Sequence, residues 1–167
     1  MTNDILPFTS PDRERYFEDY VAGTTHELGS VGIDEAEMVA FAEKYDPQKI
    51  HTDKAFADSG PFGGLIASGW QTAGLMMRLY ALRYLSEVSA IASPGMDELR
   101  WPTPVRAEDT LSVRVTITST RPSKSKPDRG IVKSDVEVRN QNDEVVMQMS
   151  GTNLILCRGN TQGGQSI

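Results

Sequence analysis

The residues best equipped for chemistry in this chain fall within one short run. Tyr45-Asp46-Pro47-Gln48-Lys49-Ile50-His51-Thr52-Asp53 sets a carboxylate and an imidazole five positions apart across a proline. After a short gap, Phe62-Gly63-Gly64-Leu65-Ile66-Ala67-Ser68-Gly69-Trp70 reads as a tight turn that delivers a glycine-marked helix start. A neutral histidine can hold or deprotonate water, and an ionised aspartate can orient that water or shuttle its proton. The first amides of a helix have no intrahelical partner and carry partial positive charge. The Gly69 N–H would be one of them. Donors of this kind stabilise a developing oxyanion, and removing one costs an enzyme ~3 kcal/mol. Glycine at this position is expected to let a carbonyl oxygen approach closely. The chemistry implied is addition or elimination of water beside a polarised carbonyl, as in a thioester.

In an arbitrary sequence an Asp and a His at this spacing do no more than close a turn. Here the chain has only two histidines, and one sits in this unit. Pro47 also breaks the preceding helix, because the residue before a proline is pushed out of the α region. Asp46 is therefore expected at a helix exit, free to point into a cleft.

The elements that must position these groups follow from periodicity and caps. Asp34 opens a helix with Glu37 in the capping-box position, and Met38, Phe41, Ala42 and Tyr45 form its apolar face. Thr52 is expected to cap a short helix through Phe56 and Ala57 that ends at Gly60-Pro61. Ser68 caps a long helix, with Gln71 completing a second capping box. That helix runs to about Leu85 and is apolar nearly all round (Trp70, Leu75, Met76, Met77, Leu79, Leu82), so it is expected to be buried and wrapped. Strands are expected at Thr24–Leu28, at Met96–Trp101, through Leu111, Val113, Val115 and Ile117, through Val132, Val136 and Val138, and from Val145 to Leu156. The result is an α+β fold, an antiparallel β-sheet curved around one long central α-helix.

Bulk properties exclude other classes. A chain of 167 residues is one domain by length. Residues 1–23 read as an N-terminal arm that packs on the body, 24–157 as the domain, and 158–167 as a flexible tail. The net charge of −6 argues against nucleic acid and anionic membrane as partners. The apolar stretch 69–85 is interrupted by Gln71, Arg78 and Arg83, which makes it a core helix and not a membrane span. A lone cysteine, Cys157, permits no intrachain disulfide and points to a reducing, cytoplasmic compartment. It reads as a small apolar residue near a strand end. His26, on a short strand, is expected at the surface. Lys49, Arg78, Arg83 and Arg106 are candidate phosphate contacts, each read more readily as a solvated charge.

The two runs together resemble the hydratase motif of the MaoC-like dehydratases and (R)-specific enoyl-CoA hydratases. Pro104-Val105-Arg106-Ala107-Glu108-Asp109-Thr110-Leu111 is similar to that family's second recurring segment. The resemblance covers roughly Thr24 to Cys157 and implies a hot-dog fold, usually dimerised. It places the catalytic pair at Asp46 and His51, the thioester-binding amide at Gly69, and substrate contacts at Gln48, Gly64, Ile66, Ser68 and Trp70. It implies no metal and no cofactor beyond coenzyme A as part of the substrate. The partners it implies are an acyl-CoA or acyl-carrier-protein thioester and a second copy of the chain, as a homodimer or higher homo-oligomer. Gln48 stands where the family has Asn, Lys49 where it has Pro, Ser68 where it often has His, and Glu108 where it has Gly. Trp70, Met76 and Met77 are expected to line the acyl pocket. The activity expected is hydration of a 2-enoyl-CoA to a 3-hydroxyacyl-CoA, and its reverse. A hot-dog thioesterase and a non-catalytic acyl-thioester binder are the alternatives.

Overall fold

The period-two segments pair into one five-stranded antiparallel sheet. β1 (Thr25–Gly32), β2 (Ala90–Arg100), β3 (Thr110–Pro122), β4 (Arg129–Arg139) and β5 (Val145–Leu156) lie in the order β1-β3-β4-β5-β2. The chain is seen here in a computed structural model that describes residues 7, 8, 11 and 14–159. The tail expected at 158–167 lies mostly outside those residues. Helices α1 (Glu35–Tyr45), α2 (Lys49–Thr52), α3 (Lys54–Asp58) and α4 (Gly69–Arg83) all fall between β1 and β2.

Alternation sets the face of the sheet that is buried. Leu111, Val113, Val115 and Ile117 of β3 are buried, as are Val132, Val136 and Val138 of β4, while their sequence neighbours point outward. Met76 and Tyr80 of α4 join this core. Polar pairs pin the helix to the sheet: Asn153 Nδ2 donates to Tyr80 Oη at 2.5 Å, and the Tyr84 and Ser134 hydroxyls are 2.6 Å apart. At the far end of α4, Arg15 and Tyr20 donate to the terminal carbonyl of Tyr84, at 3.1 and 2.8 Å. They satisfy an acceptor that a helix C-terminus leaves open. The start of α4 is thus held against a fixed frame.

Several expectations change. The long helix is not buried all round. Gln71, Thr72, Met76 and Tyr80 face inward, whereas Trp70, Met77 and Leu82 are 58%, 44% and 55% exposed. One curved sheet covers one side of a helix, and among the described residues nothing fully covers Trp70, Met77 and Leu82 on the other. β1 and β2 are longer than expected, and β2 is exposed along almost its whole length. Asp53, not Thr52, caps the third helix by accepting from Phe56 N at 3.0 Å. His26 is buried and not at the surface; its ring stacks on Phe8 with centroids 3.7 Å apart, and its Nε2 meets Thr24 Oγ1 at 2.9 Å. Cys157 follows β5 half-buried, and burial pushes its thiol above the ordinary value.

Candidate active site

Asp46 ends α1. Its N–H still donates to Ala42 O at 2.9 Å, but its backbone has left the helix (φ −150°, ψ 67°), as Pro47 requires. The chain then doubles back. Gln48 N donates to Asp46 O at 2.7 Å and His51 N to Gln48 O at 2.9 Å. His51 therefore sits on the single turn α2, and its Nε2 lies 3.4 Å from Asp46 Oδ2.

The other ring nitrogen fixes the tautomer. His51 Nδ1 is 2.8 Å from Ile66 O, and a carbonyl oxygen only accepts, so Nδ1 carries a proton. In the neutral ring Nε2 then presents a lone pair toward Asp46. A lone pair and a carboxylate oxygen do not bond each other. A proton on the ring, or a donor beside the pair, must satisfy them.

Asp46 is gripped at both oxygens. Gln48 Nε2 donates to Oδ1 at 2.7 Å and Ser68 Oγ donates to Oδ2 at 2.7 Å. These two bonds, first Gln48 and then Ser68, hold the carboxyl below the usual carboxylate range, with a smaller contribution from His51. Ser68 is fully buried and also caps α4, its Oγ accepting from Trp70 N at 3.2 Å. One hydroxyl thus links the helix start to the carboxylate. Gln71 closes no capping box; its side chain is buried, and its Oε1 has no hydrogen-bond partner.

Gly69 is the first residue of α4, so its N–H has no acceptor within the helix. Asp46, Gln48, His51, Ile66, Gly69 and Trp70 line one cavity of about 360 Å³. Two expected substrate contacts do not line it. Ser68 acts behind Asp46. Gly64 is buried in the turn at φ +152°, its N–H on Ala57 O at 3.0 Å, where an added Cβ would meet Arg106 Nη1 at 3.3 Å. Neither Met76 nor Met77 lines the cavity; Met76 is core, and Met77 faces a separate cleft between α4 and β2. Both lie beyond the first turn of the helix, too far along to reach its N-terminus.

Sequence reasoning missed Phe62, Thr72, Val146 and the loop Trp101–Val105, all of which line the cavity. The Trp101 indole lies directly against Gly69. Arg106 Nη2 donates to Phe62 O at 2.5 Å, and Lys49 Nζ lies 5.6 Å from the Phe56 ring centroid, so both have local roles in the fold. Glu108 adopts φ 69°, in the left-handed region that favours glycine. Among the described residues no group of three or more His, Cys, Asp or Glu side chains could hold a metal ion, and no helix is long and apolar enough to cross a membrane.

Known proteins resemble this chain in sequence and in fold. The family model for the MaoC like domain matches residues 9–140. The 3-hydroxybutyryl-CoA dehydratase of Methylorubrum extorquens is 34% identical over 113 residues, 67% of this chain and 69% of that protein. The crystal structure of a MaoC-like dehydratase from Rhodospirillum rubrum is 36% identical and superposes with a TM-score of 0.80, covering 86% of this chain and 98% of that one. A Mycobacterium tuberculosis protein described as a double hot-dog fold superposes with a TM-score of 0.73 at 16% identity, over 90% of this chain and 46% of that one. The chain therefore has the hot-dog fold and belongs to the MaoC-like domain family.

Proposed function

We propose that this protein is an acyl-thioester hydratase/dehydratase that adds water reversibly to a 2-enoyl thioester, giving a 3-hydroxyacyl thioester carried on coenzyme A or an acyl carrier protein. The observation that carries this reading is the 3.4 Å pairing of His51 Nε2 with Asp46 Oδ2, in a cavity that Gly69, the first residue of α4, also lines. A water molecule seated beside the pair, on its cavity side, can donate to one of these acceptors and pass its proton to His51. The Gly69 N–H accepts no competing role within the helix and is available to polarise the C1 carbonyl. As negative charge moves from the double bond toward the thioester oxygen, the water oxygen bonds to C3 and its proton passes to His51 Nε2. A proton held by the pair is then delivered to C2. One O–H bond of water breaks, one C–O and one C–H bond form, and the oxidation state of the whole is unchanged. The addition balances with coenzyme A present only as part of the substrate.

The same reading makes the protein a homodimer. Among the described residues the outer side of α4 exposes Trp70, Met77 and Leu82, and β2 is an edge strand; a bare sheet edge invites pairing with another. Sedimentation should give twice the chain mass at micromolar concentration; a monomer there would rule this out.

His51→Ala and Asp46→Ala should each lower kcat/KM for crotonyl-CoA hydration by ~10² to 10⁴, with the circular dichroism spectrum retained. Undiminished turnover in both would end the hydratase reading. Release of free thiol and crotonate with no 3-hydroxyacyl thioester formed would make the protein a thioesterase instead. Ser68→Ala removes one of the two donors that hold Asp46 ionised, so the Asp46 pKa should rise. Activity falls as pH drops through that pKa, so the acid limb of the kcat/KM profile should move to higher pH; an unmoved limb would show that Ser68 does not tune Asp46.

A further inference from the structure

Gly69 is usually the residue one would credit with giving a substrate oxygen room. The structure fills that room with protein. An added Cβ at Gly69 would lie 2.6 Å from Trp101 Cε2, 2.8 Å from Cδ2 and 3.0 Å from Nε1, closer than side chains approach one another. The backbone does not demand glycine here, because Gly69 is in the first turn of α4 and not among the positive-φ residues. Alanine would suit that helical position better. What the missing side chain provides is a seat for an indole.

The seat is rigidly placed. Trp101 follows the last residue of β2 and meets Trp70 edge to face, with centroids 5.4 Å apart at 72°. Its loop is tied to the segment before α4, since Ala67 N donates to Val105 O at 2.8 Å. Arg106 N donates to Asp109 Oδ2 at 2.8 Å, and its guanidinium reaches across to Phe62 O on the opposite lip of the cavity. Both indoles line the cavity of Asp46 and His51. Its volume of about 360 Å³ is at the small end for ligand sites, which run from roughly 300 to 1,000 Å³.

We propose that Trp101 is a specificity-determining residue: seated on Gly69 beside the helix-start amide, its indole walls the acyl pocket and restricts it to short acyl groups. This rests on the reading of the cavity as an acyl-thioester site. Truncating the indole opens the wall, and Gly69 and Trp101 act as one unit. Adding a methyl at Gly69 displaces the ring, and removing the ring makes room for the methyl.

The test uses the full chain with Gly69→Ala, Trp101→Ala and the double variant. Affinities for butyryl-CoA and dodecanoyl-CoA, measured by calorimetry, need no turnover. The wild type should favour butyryl-CoA, and Trp101→Ala should shift the dodecanoyl-to-butyryl affinity ratio upward by at least about tenfold. Gly69→Ala alone should lower the thermal midpoint and weaken butyryl-CoA binding; Trp101→Ala in that background should restore both toward the single Trp101→Ala values. An unchanged chain-length ratio in Trp101→Ala, or a double variant as impaired as Gly69→Ala, would overturn the proposal. Wild-type protein that binds neither ester would overturn it together with the acyl-thioester reading. Selective binding without hydration would remove the hydratase reading and leave the role of Trp101 standing.

Discussion

The site depends on how one carboxylate is held. Asp46 lies at a helix exit, where backbone geometry alone would leave its side chain a choice of directions. Two donors remove that choice: the Gln48 amide on one oxygen and the Ser68 hydroxyl on the other, both at 2.7 Å. Both bonds favour the charged form, so the group is ionised and aimed at the same time. The His51 ring is turned to match by a carbonyl on its far side. Neither member of the pair is positioned by the other, so both keep a lone pair for a reactant seated beside them in the cavity.

The fold makes this arrangement possible by fixing the start of α4. Ser68 belongs to that start as its cap, and the same hydroxyl reaches Asp46, so the helix N-terminus and the carboxylate cannot move independently. The far end of the helix is tied by Arg15 and Tyr20, and its middle by Tyr80 on Asn153. Gly69, the first residue of α4, thereby lines the cavity from a fixed helix end, and a fixed donor is the condition for preorganised stabilisation of developing charge. Beyond Trp70, which lines the cavity, the outer side of α4 is left exposed at Met77 and Leu82 by the described residues and offers a surface to a partner.

Much of this was legible in the sequence because it is local. The helix stop at Pro47, the turn that carries His51, the Ser68 cap and the strand alternation are each written within a few residues. The parts that were not legible are tertiary. Ser68 could be read as a cap that accepts a hydrogen bond, but nothing in its neighbourhood says that its own proton goes to Asp46, 22 residues away. Trp101 reads only as the end of a strand, since its contact with Gly69 exists only once the β2–β3 loop folds over the helix start. Burial was misjudged for a related reason. His26 is covered by Phe8 from the N-terminal segment, and α4 looked wrapped because its composition is apolar on every side, whereas one sheet covers one side. Met76 and Met77 have the chemistry of an acyl pocket but lie too far along the helix to reach it.

The convergence of Asp46, His51 and the Gly69 amide on one acyl thioester is tested most directly by a crystal structure of the Asp46→Asn variant with crotonyl-CoA bound. The account predicts the thioester oxygen within about 2.7–3.1 Å of Gly69 N, and C3 facing the gap between His51 Nε2 and residue 46. A thioester lodged in the cleft between α4 and β2, or a carbonyl oxygen held by some other donor while Gly69 N faces the Trp101 ring alone, would contradict it.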